Sequence, residues 1–142
     1  MIAVAVPVLL CLLLAAGALW LRRRYAVITV RGESMIPTYH PGERLLLRRH
    51  TLVRTGQCVV FADYRSVTSP GHPEGWILKR VIAVAGDPVP RDRAPALEQV
   101  FEEHVPPGQM VVLGDNTDQS TDSRQLGYIA CDRVFGIVSR RL

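Results

Sequence analysis

The chain has 142 residues, of which 48% are hydrophobic and 21% charged, and a formal net charge of +4. That length supports one domain with one core, and the low charge with high apolarity excludes disorder. The basic residues are scattered singly or in pairs apart from Arg22-Arg23-Arg24, and only 6% of the chain is aromatic, so a stacking groove for nucleic acid is excluded as well.

The first element is an uncharged run from Ile2 to Leu21 that contains eleven Leu, Ile and Val. Twenty helical residues span about 30 Å, the hydrocarbon thickness of a bilayer. Pro7 falls in the first turns, where a membrane helix tolerates it, and Trp20, Arg22 to Arg24 and Tyr25 form an interfacial belt. A cleaved export signal ending near Ala16-Gly17-Ala18 is the alternative reading. However, no Lys or Arg precedes the apolar part, and the run exceeds the roughly 7–15 residues usual for such signals. The sequence predicts a retained single-pass anchor in contact with membrane lipid, with its basic flank over residues 1–24. A single soluble domain, 25–142, follows.

Beyond Tyr25 the chain reads as short strands cut by turns. Ala26 to Arg31, Glu43 to Arg49, Gln57 to Tyr64, Trp76 to Ala85, Gln109 to Leu113 and Arg133 to Arg140 are rich in Val, Ile and Leu, with Pro-Gly, Gly-Asp and Ser-Pro-Gly between them. Only Pro95 to His104 has a helical character. Ser66 to Gly75 and Pro88 to Pro95 read as loops. The fold class expected is mainly β, a compact antiparallel and partly barrel-like domain behind one transmembrane helix.

Cysteine and histidine usage says little about chemistry. Cys11, Cys58 and Cys131 form no Cys-x-x-Cys pair, and His40, His50, His72 and His104 never stand three to five apart, so no metal site and no cofactor are expected. Free thiols are the expectation, with a Cys58–Cys131 disulfide as the alternative in an oxidising compartment. The distribution of lysine says more. Sixteen of the seventeen basic residues are Arg, and Lys79 is the single Lys; Asn116 is the single Asn. Arginine cannot lose its proton in a protein, whereas a buried lysine can. A lone lysine among arginines is therefore a candidate for amine chemistry.

Three segments carry the chemistry. Gly32-Glu33-Ser34-Met35-Ile36-Pro37-Thr38 follows the first strand and sets a hydroxyl on a turn bounded by glycine and proline. A hydroxyl nucleophile needs a base, and the Gly-x-Ser-x-Gly context of a Ser-His-Asp enzyme is missing because Ile36 takes the second glycine position. Lys79 offers another base. Period two along Trp76 to Ala85 places Ile77, Lys79, Val81 and Ala83 on one face, although Leu78 and Ile82 make the opposite face apolar too. Desolvation to a pKa of about 8 would leave roughly 10% of the lysine neutral at pH 7, against about 0.04% in water. The third segment is the polar loop Gly114-Asp115-Asn116-Thr117-Asp118-Gln119-Ser120-Thr121-Asp122-Ser123-Arg124.

Taken together, the three segments closely resemble the type I signal peptidase family. Ser34-Met35-x-Pro37-Thr38 matches its nucleophile motif, Lys79-Arg80-Val81-Ile82 with Gly86-Asp87 its base motif, and Gly114-Asp115-Asn116 with Ser120-x-Asp122-Ser123-Arg124 its last motif. Gly56 to Phe61 is similar to the strand motif between the first two, with Gln57 where the family usually has Asp. The resemblance implies a serine endopeptidase that removes N-terminal signal peptides from exported preproteins with small-x-small cleavage sites. It would be held in the plasma membrane with its catalytic domain on the extracytoplasmic side. Ser34 would be the nucleophile and Lys79 the general base. Ser120 would orient the amine, Asp122 and Arg124 would form an ion pair behind it, and Asp115 and Asn116 would form a turn that shapes the site. The oxyanion would be held by the N–H of Ser34 and a group at Gly32. Gly32 lacks the hydroxyl that some members carry there, so backbone, water or substrate must supply the second donor.

One feature pulls the other way: the charge rule for membrane topology puts the Arg22–Arg24 end in the cytoplasm, while the implied activity puts it outside. Other readings follow from the same residues. They are a maturation protease dedicated to one client, a self-cleaving repressor, a catalytically silent anchored β-module, and a hydrolase with His40 as base, six residues after Ser34.

Overall fold

The computed structural model describes residues 2–62 and 75–142, with side chains from residue 6. The apolar run forms one helix, α1 (Ile2–Arg24), with Pro7 inside it and all three arginines in its last turn. Val6–Arg24 has a mean hydropathy of 1.7 and none of it is buried against the rest of the chain. An apolar helix exposed on every side has no core to face, so α1 is a candidate transmembrane span.

Seven strands follow: β1 (Tyr25–Thr29), β2 (Arg44–Arg48), β3 (Cys58–Ala62), β4 (Trp76–Val84), β5 (Gln109–Leu113), β6 (Ile129–Ala130) and β7 (Val134–Arg141). They form one antiparallel sheet in the order β1-β2-β7-β3-β4-β5-β6, so the last strand inserts between the second and third. Register shifts at Leu46/Leu47, Val60/Phe61 and Val81/Ala83 break the ladders between β2 and β7, β3 and β7, and β4 and β5. Bulges of this kind bend strands and raise their twist, and the sheet curls into a half-barrel. The mainly β, partly barrel-like class read from the sequence is the observed one.

Both faces of the curled sheet are apolar. Val59, Phe61, Val81, Met110, Val112 and Ile137 pack on one another, while Val30, Leu45, Leu47 and Val60 form a second cluster. A third, built from Ala83, Val89, Ala94, Leu97, Val105 and Val111, closes the side near β5. The helix expected over Pro95 to His104 is not there. Only Pro95–Leu97 makes a single 3-10 turn, and His104 bridges to Pro88. Around that bridge the Val89 N–H is bound to Glu103 and the Val105 N–H to Asp87, so this backbone is used in strand-like pairing. Leu97 is instead buried as a plug in the third cluster.

The loop expected at Pro88 to Pro95 is present as turns. The loop expected at Ser66 to Gly75 lies outside the described residues except for Gly75, as does the end of the expected strand after Ala62. Cys58 is a buried free thiol and Cys131 a half-buried one.

Candidate active site

Ser34 sits in consecutive turns beyond β1, half-buried, with the neighbouring Met35 only 2% exposed and anchoring the turn to the core. The Ile36 N–H donates to Glu33 and the Tyr39 N–H to Met35, which closes the turns. Gly32 enters them at φ 71°, a left-handed conformation in which a side chain would be strained. Asn116, from the loop after β5, fastens this segment twice. Its backbone N–H donates to the Ser34 carbonyl at 2.9 Å and its side-chain amide to the Glu33 carbonyl at 3.0 Å.

Gly114 shows how closely the first and third segments approach. A Cβ built on it would stand 2.1 Å from Ser120 Oγ and 2.7 Å from the Ser34 carbonyl oxygen. Only glycine lets the end of β5 pass between the two serines. Gly114→Ala is expected to force them apart, costing about 1–3 kcal/mol by overpacking and most of the activity. Urea midpoints and peptide cleavage check this. A variant as stable and active as the parent would contradict so tight an approach.

Lys79 lies within β4 opposite Val59 of β3. It is 3% exposed and shares its face with Ile77 and Val81, as the period-two reading expected, but the bulge between Val81 and Ala83 breaks the alternation, so Ala83 packs beside Val111 in the cluster on the other face. Burial pulls its pKa from 10.5 down to about 8; the fields of Asp122 and Asp115 raise it and that of Arg124 lowers it. A lysine in this state releases its proton within reach of neutral pH.

Asp122 is fully buried and accepts from four groups at once. The Ser120 hydroxyl donates at 2.6 Å, the Gly114 N–H at 2.7 Å, the Arg124 N–H at 3.1 Å, and the Arg124 guanidinium at 2.9 and 2.6 Å. Burial alone would push its carboxyl up, but these donors outweigh it and hold the pKa at about 2. Asp122 also caps α2 (Ser123–Leu126) in a capping box with Gln125. The Asp122-x-x-Gln125 spacing signals that helix start in the sequence, although the strand pattern around it gives no helix.

Asp115 lies in the bend after β5, and its side chain ties that bend to the other two segments. Its carboxylate takes two bonds from the Arg80 guanidinium, at 2.8 and 2.7 Å, and another from the Thr38 hydroxyl. Arg80, one residue beyond Lys79, points the other way along β4 and also donates to the Gly56 carbonyl at 3.0 Å. The Arg80 bond holds the Asp115 carboxyl below its usual range, and the same bond raises the arginine. Arg80 and Thr38 thus tie the second and first segments to the third, a role that adjacency to Lys79 and Pro37 in the sequence only hints at. His40 is exposed, its Nδ1 3.9 Å from Glu43. Among the described residues no group of three His, Cys, Asp or Glu is placed to hold a metal ion.

A cavity of about 400 Å³ opens between the edge strand β1 and β4, walled by Val30, Val60, Trp76, Leu78 and Phe135, with Arg31 at its rim. Its lining runs along β1 to Arg31, just before the segment that carries Ser34, and includes Leu78, the residue before Lys79.

Comparison with known proteins places these residues among relatives. The model of the family described as "Signal peptidase, peptidase S26" matches residues 1–98 and 91–142. The mitochondrial inner membrane protease subunit 2 of Mus musculus is 36% identical over 131 residues, 89% of this chain and 67% of the relative. The mitochondrial ATP-independent inner membrane protease subunit 1a of Arabidopsis thaliana is 31% identical over 116 residues, 80% of this chain and 68% of the relative. The probable signal peptidase I-1 of Synechocystis sp. is 30% identical over 149 residues, 88% of this chain and 76% of the relative.

Proposed function

The chain belongs to the signal peptidase family, peptidase S26, and we propose that it is a membrane-anchored serine endopeptidase using Ser34 and Lys79 to remove signal peptides from exported preproteins. The observation that carries this reading is the buried Lys79, its pKa lowered to about 8, on a strand that Arg80, through Thr38, and the loop after β5, through Gly114 and Asn116, tie to the turn that holds Ser34. In the division of labour proposed, 1–24 anchors and 25–142 catalyses, on the extracytoplasmic side.

The neutral amine of Lys79 takes the Ser34 proton as Oγ attacks the scissile carbonyl, and the resulting ammonium gives it to the leaving amine. Water, activated by the same amine, then releases the acyl group from Ser34. Ser120 aligns the base. Its hydroxyl proton is already committed to Asp122 at 2.6 Å, so only its lone pairs are left for the lysine N–H. An amine that donates to Ser120 turns its own lone pair elsewhere, towards Ser34. The Ser34 N–H supplies one oxyanion donor, and the turn opened by Gly32 supplies backbone for the other.

An extended preprotein segment can pair with β1, the edge strand among the described residues, sending alternate side chains into the cavity between β1 and β4. Family membership supports small residues at the first and third positions before the cut. Detergent-solubilised protein incubated with a panel of preproteins, followed by mapping of the new termini, tests the reading. Cuts after small-x-small sequences are expected, with Ala best and Leu or Phe at either position about 10- to 100-fold slower. Cuts that accept large residues at both positions would overturn the assignment, and cleavage of one panel member alone would point to a protease dedicated to that client.

A further inference from the structure

At the membrane end of the domain, a cavity of about 340 Å³ lies under the last turn of α1. Arg24, Arg48, Arg54, His50, Gln57 and Leu52 line it, and none of its described lining residues is acidic. Asp132 lines only the larger cavity that adjoins it. Local backbone bonds fix this arrangement. Arg48 pairs with Tyr25, the first residue after the helix, and the Arg49 N–H donates to the Arg24 carbonyl at 2.9 Å. The Arg54 N–H donates to the Gln57 side chain at 2.9 Å, which fixes the turn between two of the lining residues.

Among the described residues no carboxylate stands within ion-pair distance of Arg24, Arg48 or Arg54. Three guanidinium groups around one hollow repel each other unless an anion lies between them. Arg24 also stacks over Trp20, 5.9 Å from the ring centroid, which sets it at the depth where an interfacial tryptophan sits. Leu52, on the same rim, is 84% exposed. An apolar side chain beside unpaired arginines, level with the end of an apolar helix, suits the boundary between headgroups and acyl chains.

We propose that this cavity binds the phosphate headgroup of an anionic phospholipid from the leaflet next to the catalytic domain, with Arg24, Arg48 and Arg54 on the phosphate and Leu52 among the acyl chains. The lipid joins the loop between β2 and β3 to the bilayer and fixes the height of the domain above it. The proposal rests on reading α1 as a membrane span and is independent of the Ser34–Lys79 chemistry.

Trp20 is a built-in reporter. In a Trp76→Phe background it is the only tryptophan, since the chain has two. The full-length protein is reconstituted in vesicles of phosphatidylcholine with increasing brominated phosphatidylcholine or brominated phosphatidylglycerol, and quenching of Trp20 is read. Phosphatidylglycerol is expected to associate at least about tenfold more strongly than phosphatidylcholine, because each guanidinium near an anionic lipid contributes roughly a fivefold factor. Arg48→Gln with Arg54→Gln is expected to lower that preference at least about fivefold while leaving quenching by phosphatidylcholine unchanged. Equal affinity for the two lipids, or an undiminished preference in the double variant, would overturn the proposal. So would loss of the preference on adding soluble glycerol phosphate, which would mark a site for free phosphate. Failure of both brominated lipids to quench Trp20 would remove the anchor reading and this proposal with it, an outcome distinct from quenching without preference.

Discussion

Lys79→Met is expected to abolish peptide cleavage and, in the same protein, to raise the melting temperature. The lysine is 3% exposed and its pKa falls from 10.5 to about 8 because burial disfavours the charged amine. At pH 7 the folded protein holds most of that charge at a cost, since the unfolded chain binds the proton more tightly. Stability therefore rises with pH between about 8 and 10.5, where the unfolded state still holds a proton that the folded state has released. Methionine fills a similar volume without a charge, so the variant should gain about 2–3 kcal/mol at pH 7, roughly 5–10 °C, and lose that pH dependence. Removal of the base should lower kcat at least about a thousandfold. Lys79→Arg is expected to be just as inactive and to gain no stability, because guanidinium keeps its proton. In the parent, kcat/KM should climb with pH about a midpoint near 8. A rising limb near pH 6.5 would instead assign the base to a histidine. A Lys79→Met variant that melts lower than the parent would remove the burial argument beneath the mechanism.

Asp122→Asn should have the opposite sign on stability and nearly as large an effect. The Asp122 carboxylate is fully buried and meets only donors: Ser120, Gly114 and Arg124. An amide turns one acceptor oxygen into a donor facing those donors, and it leaves the Arg124 charge, itself mostly buried, without a partner. Breaking such a pair costs about 3–5 kcal/mol, far more than an exposed ion pair would. Because the folded pKa of about 2 lies below the ordinary 3.8, the parent has this stabilisation in full above pH 4 and loses it as the pH falls through 2. Urea unfolding of parent and variant from neutral to acid pH should show curves that converge as the pH drops. Curves that stay parallel would mean that Asp122 is not the group that titrates. Cleavage should also slow, since Ser120 loses the acceptor that fixes its hydroxyl.

Much of this molecule is legible in local pattern. The apolar run predicts α1, because a stretch with no polar face has no alternative to a membrane or a deep core. Period-two alternation predicts β4 and puts Ile77, Lys79 and Val81 on one face, since successive side chains on a strand point to opposite sides, but it misplaces Ala83, which the bulge after Val81 turns to the other face. The three polar segments, with the lone lysine among arginines, mark the candidate site. Local pattern fails at Pro95 to His104, where helical character was overridden by backbone pairing with Asp87 and Val89. It is silent on β6, two residues long and defined only by its partner β5.

Burial of the amine is likewise invisible in the sequence, because both faces of β4 are apolar and only the curled sheet decides which is closed. The Arg80–Asp115 bonds join residues 35 apart, and Asn116 reaches Glu33 across 83. Sequence determined α1, most of the strands and the candidate site residues, because these depend on neighbours along the chain. The lowered pKa of Lys79, the paired charges behind it and the close pass of Gly114 between two serines came only with the tertiary structure, because desolvation and steric exclusion depend on neighbours in space.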